Sequence, residues 1–215
     1  MSYTRANGIN IKCEIGGSGQ RLLYISGTGG DLRNRPNVFD GPLVADFEVL
    51  SYDQRGLGQT ESPVLEYSMA DYAADAAALI DALDWGRGPV MGVSFGGMVA
   101  QELALRYPEK VSALVLACTS SGGEGRASYT LHDLADLDAE TQLTRRLALA
   151  DVRRTPQWQA DNPEHWSRLC EIARGAQRSD RNQDGAATAS REGRARYLGS
   201  TTLAGIAGAA GGWGT

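Results

Sequence analysis

Short apolar runs alternate with longer amphipathic segments along the first 118 residues of the chain. The runs typical of strands are Ile9 to Ile15, Leu22 to Ser26, Phe47 to Tyr52, Pro89 to Val93 and Val111 to Cys118. Segments with helical periodicity separate the later runs, and strands that alternate with helices indicate crossover connections. The pattern therefore predicts an α/β fold with a mostly parallel sheet and helices on both faces.

The helix predicted after Ser68 has the clearest start. Ser68 and Asp71 have the spacing of a capping box, in which each side chain accepts a hydrogen bond from the other residue's backbone N–H. Apolar residues then recur at helical spacing as far as Leu83, which predicts one buried face. A second helix, of small and apolar residues, is predicted over Phe95 to Arg106.

Glycine-rich turns follow the carboxyl ends of three predicted strands. They are Gly27 to Gly30 after Ser26, Asp53 to Gly58 after Tyr52, and the turn after Val93. Strands joined by crossovers have their carboxyl ends at one edge of the sheet, where such folds bind ligands. We therefore expect these turns to converge on one site.

The character of the chain changes after residue 118. Residues 131–150 and 155–176 have helical, amphipathic patterns, and the expected buried positions are Trp158, Trp166, Leu169 and Ile172. Residues 199–215 are rich in glycine and alanine and carry no charge. We predict a core over 1–118, a helical insert over the sheet edge at 119–176, and an irregular tail over 177–215, disordered or read out of frame.

The composition of the chain limits the kinds of partner and cofactor that we expect it to bind. Hydrophobic residues make up 42% of the chain, which suits a globular core, and the net charge of −5 argues against a nucleic-acid surface. No segment is long and apolar enough to predict a membrane span or a signal peptide. Three widely spaced cysteines form no metal-ligand pattern. We expect a cytoplasmic protein with reduced thiols and no metal or organic cofactor.

Gly92-Val93-Ser94-Phe95-Gly96 matches the G-x-S-x-G motif, with a predicted strand before it and a predicted helix after it. A serine on so sharp a strand-to-helix turn has a strained backbone that exposes its hydroxyl. Side chains at Gly92 and Gly96 would collide across the turn. The alternative is that Ser94 only caps a helix and that the glycines serve close packing.

With its three turns in this order and spacing, the segment 1–118 resembles the core of the α/β-hydrolase superfamily, and 119–176 resembles its helical lid. It is most similar to the small esterase and lactonase branch that includes 3-oxoadipate enol-lactonase. The matching segments are Ser26 to Gly30, Asp53 to Thr60 and Gly92 to Gly97. The last strands of that core are missing from the sequence pattern.

The resemblance implies that Ser94 is the nucleophile, which forms an acyl-enzyme. It implies an oxyanion hole made by the backbone N–H groups of Phe95 and, by position, Thr28. Asp53 and Arg55 lie in a turn that resembles a phosphate cradle but lacks the third glycine of a dinucleotide fingerprint. A structural role is favoured for both residues over a catalytic one.

A base and an acid that would activate Ser94 are not evident. The resemblance implies an acid and then a histidine after later strands, whereas the two histidines, His132 and His165, both lie in the predicted insert. Asp180 and Asp184 follow no predicted strand. Three explanations remain open: a truncated or frameshifted hydrolase, an intact protein that has lost the triad, and an insert histidine that serves in an unusual geometry. We favour the frameshift, because out-of-frame GC-rich DNA encodes arginine-rich and then Gly/Ala-rich segments.

The function expected from these features is hydrolysis of a small carboxylic ester or lactone by Ser94. The competing hypothesis is a catalytically inactive fragment or binding protein on the same fold, without the histidine and acid. The fold alone does not select the substrate.

Overall fold

The computed structural model describes residues 2–64, 67–121, 134 and 136–181, and for residues 175–181 the backbone alone. The chain divides into two compact units, the first with the described residues up to Ser121 and the second with those from Leu134 onward. In the described part of the chain, no helix has the length and apolar character needed to cross a membrane. The predicted domain boundaries after residues 118 and 176 stay predictions.

A six-stranded mixed sheet forms the centre of the first unit. Its strands are β1 (Ser2–Ala6), β2 (Ile9–Gly17), β3 (Gln20–Ile25), β4 (Phe47–Tyr52), β5 (Gly88–Val93) and β6 (Val111–Ala117). Their order in the sheet is β1-β2-β4-β3-β5-β6. The pairs formed by β4, β3, β5 and β6 are parallel, whereas β1 pairs with β2 and β2 with β4 in antiparallel fashion. The mostly parallel sheet predicted from the sequence is confirmed.

Strand β1 was not predicted, because Ser2–Ala6 lies at an edge of the sheet and most of its residues are exposed or half-buried. A strand at an edge needs no alternation of apolar residues, so its sequence resembles that of a loop.

Two α-helices, α1 (Met69–Ala82) and α2 (Phe95–Arg106), pack on one face of this sheet and against each other. The capping box predicted at the start of α1 is confirmed: the Asp71 N–H donates to Ser68 Oγ at 3.3 Å, and the Ser68 N–H donates to Asp71 Oδ2 at 2.7 Å. Between the two helices, the rings of Tyr72 and Phe95 meet edge to face with their centroids 5.1 Å apart. The shared core contains Leu23, Ile25, Leu50, Tyr52 and Val90 of the strands.

Short 3₁₀ helices lie on the opposite face. Phe39, in the 3₁₀ helix Val38–Asp40, packs close to Gly16 of β2, and the 3₁₀ helix Pro42–Ala45 contacts β2 and β4. In the described residues, α-helices thus cover one face of the sheet and these two 3₁₀ helices lie on the other, while a third 3₁₀ helix, Pro108–Lys110, contacts α2 and β6.

The second unit contains three α-helices in the part that the structure describes: α3 (Ala139–Ala150), α4 (Pro156–Asp161) and α5 (Pro163–Arg181). Contacts join α3 to α5 and α4 to α5, and Leu143 and Cys170 are buried. The segment predicted as one helix over 155–176 is divided because Pro163, which cannot donate a backbone hydrogen bond, begins a new helix after Asn162.

One expectation for the second unit was wrong. The four positions expected to be buried are not: Ile172 is 62% exposed, and the other three, Trp158, Trp166 and Leu169, are half-buried. Helical periodicity predicts that such residues share a face of the helix, but not which part of the protein covers that face. The helix α5 continues to Arg181. Arginine and glutamine in this stretch have high helix propensity, which explains the continuation.

Candidate active site

Ser94 lies at the junction of β5 and α2 in a strained backbone conformation. Its φ is 54° and its ψ is −119°, a region that residues with a side chain rarely adopt and that costs about 1–3 kcal/mol. Hydrogen bonds hold it there. The Ser94 N–H donates to the carbonyl of Ala117 at 2.8 Å, and the Ser94 carbonyl accepts from the Gly97 N–H at 2.9 Å and from Thr119 Oγ1 at 2.7 Å. The strand, turn and helix around Ser94 are those that the sequence predicts.

Two glycines of the motif allow close backbone contacts on different sides of the turn. A Cβ at Gly92 would lie 2.4 Å from the Gly96 carbonyl oxygen, which is the predicted collision across the turn. A Cβ at Gly96 would instead lie 2.2 Å from the carbonyl oxygen of Ile25. Gly96 is therefore needed for the approach of α2 to the end of β3.

The loop after β3 lies against Ser94. A Cβ at Gly27 would lie 3.3 Å from Ser94 Cβ and 3.9 Å from Ser94 Oγ. The Gly30 N–H donates to the Gly27 carbonyl at 3.1 Å, which closes a turn containing the exposed Thr28. Phe95 is the first residue of α2, so its backbone N–H belongs to the helix N-terminus beside Ser94. The structure thus brings the turns carrying Thr28, Ser94 and Phe95 together.

The turn after β4 contacts the same loop through Asp53 and Gln54. Asp53 Oδ1 accepts from the Leu32 N–H at 2.7 Å, Asp53 Oδ2 accepts from the Gln59 N–H at 2.9 Å, and Gln54 Nε2 donates to the Ser26 carbonyl at 2.8 Å. Burial raises the pKa of Asp53 to about 6, against the opposing effect of its two N–H hydrogen bonds. The three predicted turns therefore converge, as expected.

The sequence did not predict the contacts of Gln54 or the partners of Asp53. One feature of the sequence could have indicated these contacts: both polar residues come directly after the carboxyl end of β4, at the edge of the sheet where the turns meet.

Arg55 is engaged in contacts with other side chains of the fold. Its guanidinium donates to both carboxylate oxygens of the buried Asp75 of α1, with both distances 2.6 Å, and it lies over the ring of Tyr67 at 5.3 Å. The structural role favoured from the sequence for Arg55 agrees with these contacts. A turn that uses its arginine in this way has no free cation to offer a phosphate.

No hydrogen bond within the described residues identifies a base for Ser94. Ser94 Oγ forms no hydrogen bond to any of them. His165, on α5 in the second unit, is exposed and meets the ring of Trp158 edge on, with centroids 5.4 Å apart. His132 and Asp184 lie outside the described residues, as does the side chain of Asp180. Within the described part of the chain, no three His, Cys, Asp or Glu side chains are grouped to hold a metal ion.

Several known proteins resemble this chain. A putative non-heme bromoperoxidase of Mycobacterium tuberculosis is 38% identical over 112 residues, which are 52% of this chain and 42% of that protein. A poly(3-hydroxyalkanoate) depolymerase of Ectopseudomonas oleovorans is 39% identical over 101 residues, or 47% of this chain and 35% of that one. The chain thus spans less than half the length of the curated relatives it matches.

Solved structures share the fold. A meta-cleavage product hydrolase from Pseudomonas fluorescens superimposes with a TM-score of 0.72 at 21% identity, over 94% of this chain and 73% of that one. An enol-lactonase from Burkholderia xenovorans gives a TM-score of 0.62 at 20% identity, over 94% and 75% of the two chains. The sequence profile of the alpha/beta hydrolase fold matches residues 20–169. The chain therefore belongs to the alpha/beta hydrolase fold family.

Proposed function

We propose that the protein is a serine hydrolase that cleaves a small carboxylic ester or lactone through an acyl-enzyme at Ser94. The observation that carries the proposal is the strained conformation of Ser94, at φ 54°, with the β3 loop packed against it. Strain of this kind persists where the surrounding structure imposes it, and it is concentrated at functional sites. A serine that merely capped α2 would hydrogen-bond a helical N–H with its side chain, which Ser94 does not do.

The reaction follows from the placement of the turns. Ser94 Oγ attacks the acyl carbon of the substrate, and its proton passes to a base. The carbonyl oxygen becomes an oxyanion that the backbone N–H groups of Phe95 and Thr28 stabilise, each donor contributing about 3–4 kcal/mol in comparable sites. The protonated base returns its proton to the leaving oxygen, whose bond to the acyl carbon breaks and leaves an acyl-enzyme. Water then attacks the acyl carbon, which releases the acid and restores the proton on Ser94 Oγ. Apart from the base, every group named in this scheme belongs to the chain, the substrate or water.

The relatives agree with this class of chemistry. An enol-lactonase is among the structural neighbours and a depolymerase among the sequence relatives. Both belong to a fold that also supports other hydrolytic reactions, so the ester or lactone is a proposal for this chain.

A second candidate is a non-catalytic binding protein. It is favoured by the lack of any hydrogen bond from Ser94 Oγ to the described residues, because a serine hydroxyl is a weak nucleophile without a neighbouring base. In the absence of a base, the oxyanion hole and substrate binding alone leave a residual acceleration of about 10³-fold in a comparable enzyme.

Turnover of p-nitrophenyl acetate by the 215-residue chain separates the two candidates. We expect burst kinetics that disappear in Ser94→Ala and persist in Ser112→Ala, a matched change on β6. His132→Ala and His165→Ala then report whether either histidine is the base. Turnover that survives Ser94→Ala would refute the proposal, and wild-type turnover no faster than that of Ser94→Ala would favour the binding protein.

A further inference from the structure

The loop after β3 is held at both ends by two adjacent side chains. At its start, the carbonyl of Ser26 accepts from Gln54 Nε2 at 2.8 Å, and at its end, the Leu32 N–H donates to Asp53 Oδ1 at 2.7 Å. Both side chains are buried, with Gln54 0% and Asp53 1% exposed. Two consecutive residues of the turn after β4 therefore bracket the segment that carries Thr28.

We propose that Asp53 and Gln54 are positioning residues that hold the Ser26–Leu32 loop and thereby fix the Thr28 N–H relative to Ser94. This inference rests on the proposed function, because it assigns a geometric task to an oxyanion donor. Neither residue touches the substrate; each acts through the loop it holds.

Apart from these two bonds, the described residues restrain the loop only near its end, where the Leu32 carbonyl accepts from Asn37 Nδ2 at 3.0 Å and the Asp31 carboxylate accepts from the neighbouring Arg33 guanidinium. Its sequence, Gly27-Thr28-Gly29-Gly30, is three-quarters glycine, and its one internal backbone hydrogen bond joins Gly30 to Gly27. Glycine loses more conformational freedom on ordering than any other residue, so such a segment needs external contacts to stay in one conformation. The hydrogen bonds to Asp53 and Gln54 supply them at the two places where the loop joins the rest of the fold.

The turn that holds the loop is itself well anchored. The Asp53 N–H donates to the Lys12 carbonyl at 2.9 Å, and the Asp53 carbonyl accepts from Thr60 Oγ1 at 2.6 Å. Asp53 Oδ2 accepts from the Gln59 N–H, and a Cβ at Gly58 would lie 2.2 Å from that same oxygen. Gly58, with φ 54°, is therefore required for the turn to close around the carboxylate.

A small displacement of this loop would change the geometry of the site because the loop lies directly against Ser94. Gly27 packs against Ser94 Cβ, so a shift of the loop changes the position of Thr28 relative to the serine. Oxyanion donors act at about 2.7–3.1 Å from the developing charge, and a misplacement of about 1 Å can reduce the rate about 100-fold. The ionised carboxylate accepts at both oxygens, from Leu32 and from Gln59 at once, whereas the protonated carboxyl keeps only one oxygen free to accept. The charged groups that face Asp53 are Asp31 and Arg33, and at pH 8 the carboxylate is ionised.

Two variants remove one bond each. Asp53→Asn keeps the size of the side chain but can accept from only one of the two N–H groups. Gln54→Met keeps the length and apolar character of the buried stem. Gln54 Oε1 has no hydrogen-bond partner in the described part of the chain, so Met also removes an unpaired buried oxygen and the fold should persist.

Matched controls repeat the same chemical changes elsewhere. Asp71→Asn also removes a carboxylate that accepts a backbone N–H, at the start of α1. Gln101→Met also removes a buried amide that donates to backbone carbonyls, those of Gly97 and Ser120. Neither control touches the Ser26–Leu32 loop.

The first readout is amide hydrogen exchange at pH 8, measured by mass spectrometry on peptides covering residues 27–32. Loss of one hydrogen bond to a buried group should speed exchange there at least about tenfold in Asp53→Asn and Gln54→Met, with α1 and α2 unchanged. The controls should leave these peptides at the wild-type rate. Equal exchange in all five proteins would overturn the proposal, as would faster exchange throughout the fold in both loop variants.

The second readout is the separation of kcat from KM for p-nitrophenyl acetate. Both loop variants should lose about 10- to 100-fold in kcat with KM within about twofold, because the donor acts on the transition state rather than on the bound ester. An unchanged kcat alongside faster loop exchange would overturn the positioning role. If the wild-type chain shows no Ser94-dependent turnover, the proposed function fails, while hydrogen exchange still decides whether these residues hold the loop.

Discussion

Asp53→Asn should change how stability depends on pH, because Asp53 is a buried carboxylate with a raised pKa. Its pKa of about 6 compares with an ordinary value of 3.8, a difference of about two units, and each unit corresponds to about 1.4 kcal/mol. The folded state therefore binds a proton more tightly than the unfolded state. Asp53 then contributes stability that is present below pH 3.8 and is lost as the pH rises through 6.

The size of the effect follows from the same two pKa values. Between pH 7.5 and pH 4.5, protonation of Asp53 should raise the free energy of unfolding of the wild-type protein by about 2 kcal/mol relative to Asp53→Asn. Other carboxylates, such as Asp40 and Asp71, have lowered pKa values and act in the opposite direction, but they are common to both proteins and cancel in the difference.

Urea denaturation of both proteins, followed by tryptophan fluorescence from pH 4.5 to 7.5, measures this difference directly. The wild-type minus variant free energy should increase steadily as the pH falls. A difference that decreases as the pH falls would show that the two N–H hydrogen bonds outweigh burial and hold the pKa of Asp53 below 3.8, and the reasoning would be refuted.

Three further substitutions test the packing around the site. Ser94→Gly should stabilise the fold by about 1 kcal/mol in thermal denaturation, because glycine adopts φ 54° without strain; a loss of stability would show that the strain is not real. Gly96→Ala should lower the free energy of unfolding by at least about 2 kcal/mol, since its Cβ would meet the carbonyl of Ile25, and a neutral result would contradict the close approach of α2 to β3. Asp75→Asn should destabilise by about 3 kcal/mol in urea at pH 7, because it leaves the buried Arg55 guanidinium with only the more distant carboxylate of Asp71, at 4.0 Å, as a counter-charge. A change below about 1 kcal/mol would argue against the ion pair of Arg55 and Asp75.

Much of the first unit could be predicted from its sequence because local signals agreed with one another. Strand β4 and helix α2 have the predicted bounds, and the Ser68 and Asp71 capping box forms as expected. In each of these cases the residues that determine the element lie within it or beside it. Part of the turn at Ser94 is equally local, since a Cβ at Gly92 would meet the carbonyl of Gly96 four residues along the chain.

Contacts between distant turns could not be predicted in the same way. The bond from Leu32 to Asp53 joins residues 21 positions apart, and that from Gln54 to Ser26 spans 28. Whether a buried carboxylate accepts a given N–H depends on how closely two loops approach, which no local pattern encodes. The second unit shows the same limit: Ile172 lies on an amphipathic helix yet is exposed.

The central claim, that Ser94 is an activated nucleophile, is tested most directly by covalent capture with a fluorophosphonate followed by peptide mapping. Attack by Ser94 Oγ expels fluoride and leaves one phosphonyl group on the protein, which intact-mass analysis detects. The account predicts a single adduct on the peptide containing Ser94, with none in Ser94→Ala and full labelling in Ser112→Ala. A folded wild-type protein that stays unlabelled, or an adduct on another residue, would contradict it.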